Sequence, residues 1–196
     1  MTEMYDWNAM PHQVDVKCPS CSCKATFEFA EVVKIELKKD IEFFKNSSVF
    51  EYEVFKDACG HKWHGALYCA GLHGGDVNAI DDLPDGYKKE NWSHSRYLYR
   101  SHGLDIGSVN CSGCFLRRNH QLNWPEEAYF SIEYKGHQLW AFNRESAAEL
   151  REYIHGSVRK HEKYKWNNFL LHVPAVFKRQ GTRDHVVKKL SRLLAS

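Results

Sequence analysis

Gly107-Ser-Val-Asn-Cys111-Ser-Gly-Cys114-Phe-Leu-Arg117 sets two cysteines three positions apart, after a β-type run and before a basic turn. One tight turn of backbone then aims both sulfurs at one point, the arrangement of a metal knuckle. A knuckle supplies two ligands, and tetrahedral zinc takes four. The other Cys-x-x-Cys of the chain is Cys18-Pro-Ser-Cys21. If the two pairs meet, residues 24–110 are a long insertion in one ribbon, and residues 115–196 are what the ribbon is fastened to.

Cys18, Cys21, Cys111 and Cys114 are therefore the expected zinc ligands. Thiolate is soft and charged, and four of them close the coordination sphere, so this metal folds the chain and does no chemistry. The rival set is the central cluster Cys59-Gly-His61-Lys-Trp-His64, with Cys69 nearby. It has ligand types without knuckle spacing. Cys23 reads as a bystander, and Cys59 and Cys69 as small buried hydrophobes. A redox role for Cys-x-x-Cys needs a βαβ setting that the pattern does not supply.

Composition sets the bounds. The 196 residues are 43% hydrophobic and 14% aromatic, enough for a core and too apolar for disorder. No run reaches the length of a membrane span, and Met1–Asp15 lacks a basic, apolar signal pattern. A cytoplasmic address is expected. Seven cysteines, four of them in knuckles, then suit metal ligation better than a disulfide framework.

The pattern along the chain is α+β. Strands are expected at Gln13–Lys17, Ala25–Phe29, Val32–Leu37, Val49–Phe55, Trp63–Ala70 and Ser95–Arg100. In the fourth of these, Phe50, Tyr52 and Val54 share one face. Asn78–Leu83 suits a single helical turn, and Asn119–Asn123 a return strand of the ribbon. A hairpin turns at Lys135-Gly136. Asn143 then caps a helix over Arg144–His155, with Gly156 past its end and Ala147, Leu150 and Ile154 on its apolar face. A helical stretch through Trp166, Phe169 and Leu170 stops at Pro174, and Ala175–Arg179 continues it at a new angle. Thr182 caps a last helix over Arg183–Leu194, with Asp184 at its positive end. The division expected is 1–142, a β-rich ribbon with its insertion at 24–110, and 143–196, a basic helical region packed on it.

Charge is uneven. Residues 1–115 carry 12 basic and 17 acidic side chains, and residues 116–196 carry 15 and 8. The basic end makes Arg159, Lys160, Lys163, Lys165, Lys178, Arg179, Arg183, Lys188, Lys189 and Arg192 candidate contacts to nucleic acid or an acidic protein. Tyr164, Trp166 and Phe177 interleave with them; Trp166, Phe169 and Phe177 are expected in the core rather than stacked on bases.

Weaker constellations remain. His61, His64 and His73 would make a second metal site for a nuclease or hydrolase, although none of them has the i, i+4 spacing of a helical zinc motif. Glu133-Tyr-Lys135 matches a nuclease Glu-x-Lys, but about one such pair arises by chance in a chain this rich in both residues, and Glu36-Leu-Lys38 is a second. His120 after the second knuckle lacks the other landmarks of histidine–metal nucleases. Neither a Gly-x-Ser-x-Gly elbow nor a phosphate-binding glycine loop is present.

Cys18-Pro-Ser-Cys21 and Cys111-Ser-Gly-Cys114 resemble the two halves of a zinc ribbon. Leu122-Asn-Trp-Pro-Glu-Glu-Ala-Tyr-Phe130 and Gly136-His-Gln-Leu-Trp-Ala-Phe142 are similar to stretches of uncharacterised bacterial zinc-ribbon proteins. The resemblance implies a ribbon followed by a hairpin and a helix, and implies no activity. The expectation is a zinc-binding adaptor for nucleic acid or protein, with no catalytic residue.

Overall fold

Val14 and Val16 alternate with polar neighbours and bury one face of strand β1 (Gln13–Lys17). The computed structural model describes residues 10–57, 59–75, 77, 80, 83–94 and 105–195. It divides the chain into two units. One combines Met1–Lys17 with Trp124–Ser196, and the other is Cys18–Asn123. The expected strand at Ser95–Arg100 and helical turn at Asn78–Leu83 fall wholly or mostly outside the described residues.

The Cys18–Asn123 unit holds strands β2 (Lys24–Phe29) and β3 (Glu31–Lys34), helix α1 (Ile41–Asn46), strands β4 (Phe50–Lys56) and β5 (Lys62–Tyr68), helix α2 (Ala70–His73), and strands β6 (Ser93–His94), β7 (Ile106–Asn110) and β8 (Arg117–Gln121). All the pairings are antiparallel. They give the order β4-β5-β3-β6 in one sheet and β2-β7-β8 side by side in another. The expected strand over Val32–Leu37 is shorter, ending at Lys34.

The first of these sheets is covered on both faces. Val33, Phe44, Phe50, Ala66, Tyr68 and Tyr87 form one core, and Ala30, Val32, Phe55, Leu67 and Cys69 the other. This accounts for the unbroken apolar run Gly65–Cys69, since a strand buried on both sides has no polar face. β4 departs from the single apolar face expected of Phe50, Tyr52 and Val54. Phe50 is buried as expected, but Val54 is exposed and Phe55 packs into the opposite core.

In the other unit, β9 (Ser131–Tyr134) and β10 (His137–Trp140) form the expected hairpin. Lys135 and Gly136 both take positive φ, 51° and 75°, as a two-residue hairpin turn requires. The Lys17 N–H donates to the Glu127 carbonyl and the Asp15 N–H to that of Phe142. Helix α3 (Arg144–His155) starts where expected. The Asn143 side chain accepts from the Ser146 N–H, and the Ser146 hydroxyl closes the capping box. The buried Asp15 carboxylate accepts the neighbouring Arg144 N–H. Gly156 departs from expectation, with φ of −60°. The helix thus ends without a left-handed cap.

Helices α4 (Asn167–Leu171) and α5 (Ala175–Lys178) flank Pro174. The last helix, α6 (Gln180–Ala195), begins earlier than a Thr182 cap would allow. The Arg179 carbonyl accepts the N–H groups of Thr182 and Arg183, so Thr182 lies within the first turn and is buried. Asp184 consequently sits beyond the helix start. Val186, Leu190 and Leu194 pack inward from α6, and Ala147, Leu150 and Ile154 from α3. The Arg144 guanidinium donates to the Leu194 carbonyl. Trp124, Trp140, Phe142 and Phe169 complete an aromatic interior.

Candidate metal centre

Strand register brings the two knuckles together. Antiparallel pairing sets Thr26 of β2 opposite Asn110 of β7, and Phe29 opposite Gly107. The start of β2 therefore lies beside the end of β7. The turn entering β2 carries Cys18 and Cys21, and the turn leaving β7 carries Cys111 and Cys114. Gly107 permits this pairing, since a Cβ there would collide with the Glu28 carbonyl.

Each knuckle is closed in the same way. The Cys18 N–H donates to the Cys23 carbonyl and the Cys111 N–H to that of Leu116, both five residues on. The residue after each second cysteine, Ser22 or Phe115, takes φ of 60°. That left-handed residue reverses the chain, and glycine is the residue that takes it without steric cost. Phe115 holds it with its ring 88% exposed.

The four sulfurs lie within 4.8 Å of one another. Cys18 and Cys114 are 3.6 Å apart, as are Cys21 and Cys111. A disulfide needs about 2.05 Å. Four metal–sulfur bonds of about 2.3 Å arranged as a tetrahedron put neighbouring sulfurs about 3.8 Å apart. The cluster thus has the dimensions of a four-thiolate metal site. The Ser20 N–H reaches Cys18 Sγ at 3.4 Å, a bond that favours thiolate. Burial raises the Cys18 thiol, but the backbone N–H groups of Cys21 and Ser20, joined by Cys114 and Cys111, outweigh it and bring it down to about 6. At Cys21 the Cys23 N–H favours the thiolate. Burial and the sulfurs of Cys114, Cys111 and Cys18 oppose it and push that thiol up. A divalent cation relieves this crowding of negative charge, so the donor set fits a soft or borderline metal.

Cys23 lies outside this set, with Cβ and Sγ packed 3.4 and 3.6 Å from where a Cβ on Gly113 would stand. Cys69 is buried as expected, and burial, followed by the charges of Glu51 and Glu28, pushes its thiol up to about 12. Cys59 is exposed, contrary to expectation, because it sits on the turn between β4 and β5.

His61, His64 and His73 do not form a group among the described residues. The seven-residue β5 separates His61 from His73, and an extended strand rises about 3.3 Å per residue. His64 Nδ1 bonds the Tyr52 hydroxyl, and His73 stacks on Tyr68. The second convergent group is instead Asp57, Cys59 and His61. The Asp57 carboxylate is held below its ordinary range, chiefly by the His61 N–H and also by that of Cys59. The spacing Asp-x-Cys-x-His, with Gly60 between the last two donors, was the available signal for Asp57 in the sequence.

The basic C-terminal residues divide. The Arg159 guanidinium donates to the Ile154 and Lys178 carbonyls, and Lys165 pairs with Glu145 at 2.8 Å. Lys178, Arg183 and Lys189 are half-buried, while Lys160, Lys163, Arg179, Lys188 and Arg192 are exposed. Lys163 lies over the Tyr164 ring. Phe169 and Phe177 are buried, Tyr164 nearly so and Trp166 half-buried, so these rings serve chiefly the interior.

No protein-family model, curated protein or solved structure matches the chain. Among the described residues, no helix is long and apolar enough to cross a membrane.

Proposed function

We propose that the protein is a zinc-clasped binding module in which the four-cysteine ion is structural and the basic C-terminal surface takes an anionic partner, a nucleic acid. The convergence of four sulfurs carried by two equivalent knuckles is the observation that supports this reading most. Zinc suits a closed thiolate set that offers no position for substrate, and a zinc ribbon describes two such knuckles joined by antiparallel strands. A reducing, cytoplasmic compartment would keep these thiols available. Lys188 and Arg192 stand one helical turn apart on the exposed side of α6, and Lys160, Lys163 and Arg179 add to the same basic segment.

The test is binding of a labelled single- or double-stranded oligonucleotide as salt is varied. Affinity should fall with a slope of roughly 0.9 logarithmic units per phosphate contacted. Lys188→Glu with Arg192→Glu should weaken binding and flatten that slope. Binding that ignores salt, or none at low salt, overturns the nucleic-acid reading in favour of a protein partner.

A further inference from the structure

We propose a second, exchangeable zinc site formed by Asp57, Cys59 and His61 on the turn between β4 and β5. The three side chains bring a carboxylate oxygen, a sulfur and an imidazole nitrogen within 4.8 Å of one another. Mixed donors of this kind suit zinc and its borderline neighbours, and not magnesium or calcium, which take oxygen ligands.

The turn is built to hold these donors. Asp57 Oδ1 accepts the N–H groups of Cys59 at 2.9 Å and His61 at 2.8 Å. The Gly60 N–H donates to the Asp57 carbonyl, and the Asp57 N–H to that of His61. Gly60 takes φ of 83°, which carries the chain back into β5. With Oδ1 fixed by the backbone, Oδ2 is directed at the imidazole. It stands 3.3 Å from His61 Nδ1, longer than a good N–H···O bond. Two bonds of about 2.0–2.1 Å to one tetrahedral ion would separate such atoms by about 3.3 Å. The pair is therefore spaced as two ligands of a shared ion. Cys59, exposed and on the same short turn, supplies the third.

Three protein donors leave the tetrahedron incomplete, in contrast with the closed four-sulfur set. Asp57 and His61 also line a cleft of about 470 Å³ with Trp63, Lys62, Lys34 and Ser93. Water or a small anionic ligand from that cleft could complete the sphere. This site does not depend on the proposed nucleic-acid binding, and its ligands are separate from the four knuckle cysteines.

The experiment uses the full chain and zinc alone. Reduced protein is dialysed against buffered zinc, and metal per chain is measured before and after a mild chelator. Wild type should hold two zinc ions and give up one to the chelator. Cys59→Ser with His61→Ala should hold one, at an unchanged urea midpoint. Cobalt reports the sites separately, since a four-thiolate ion and a mixed-donor ion absorb differently. One zinc per chain in wild type, or an unchanged count in the double variant, overturns the proposal. Loss of the four-thiolate cobalt signal would instead count against the knuckle site, so the two failures are distinguishable.

Discussion

The Cys18–Asn123 unit gathers four sulfurs from turns about ninety residues apart, whereas the unit completed by Trp124–Ser196 closes around Phe142, Leu150, Phe169 and Leu190. In the first, the clasp depends on distant strands meeting in register. In the second, a capped helix and a tight hairpin present apolar faces that neighbouring elements cover. A metal centre concentrates stability in a few bonds, and an apolar interior spreads it over many contacts. The two units should therefore fail differently when one residue is changed.

The largest expected effect is at the clasp. Cys111→Ser removes one thiolate and leaves three sulfurs without a closed sphere. Structural zinc contributes roughly 10–16 kcal/mol of apparent binding energy in small zinc-dependent folds, so its loss outweighs the margin of an ordinary domain. If the proposed zinc is what closes the cluster, the variant should lose the tightly held metal and the cooperative unfolding of β2, β7 and β8. Hydrogen exchange with metal analysis checks this. If protection of those strands survives without metal, the knuckles are not what holds them.

A smaller loss is expected in the apolar interior. Leu150 is fully buried on α3, and Leu150→Ala should cost about 2–5 kcal/mol through lost burial and the cavity left behind. Urea unfolding followed by helix signal measures it. Metal content should be unchanged, and a fall in bound metal would break the contrast between the two units.

The same contrast explains what the sequence disclosed. Asn143, the Lys135-Gly136 turn and the Ala147, Leu150, Ile154 stripe act within a few residues, and each is found where local pattern places it. The Cys-x-x-Cys spacing is equally local. Their meeting rests on the register of β2 against β7, which depends on Gly107 passing close to the Glu28 carbonyl, a contact no short-range pattern records. Grouping His61 with His64 and His73 fails because nearness along an extended strand is not nearness in space. Cys59 reads as buried when small apolar character is weighed without the exposure of a hairpin turn. At α6, the Arg179 carbonyl rather than the Thr182 side chain sets the start, and a threonine preceding an apolar stripe gives no warning of that.

The smallest expected effect lies on the surface of α3, where Glu145 meets Lys165. The Lys165 ammonium, bonded at 2.8 Å, holds the Glu145 carboxyl below its ordinary value of 4.5, helped by the Trp166 indole N–H. A carboxylate whose folded value is depressed favours the folded state above its unfolded value. That advantage fades as pH falls through the lower folded value. Both side chains are more than half exposed, so solvent and salt screen the pair and the effect is slight. Glu145→Gln should be marginally less stable than wild type at neutral pH. The two urea midpoints, followed by helix signal, should converge as pH drops below 4.5 and also in high salt. A difference that persists in acid would mean that the substituted amide disturbs the packing of Trp166. The apolar unit would then be sensitive at its rim as well as in its interior.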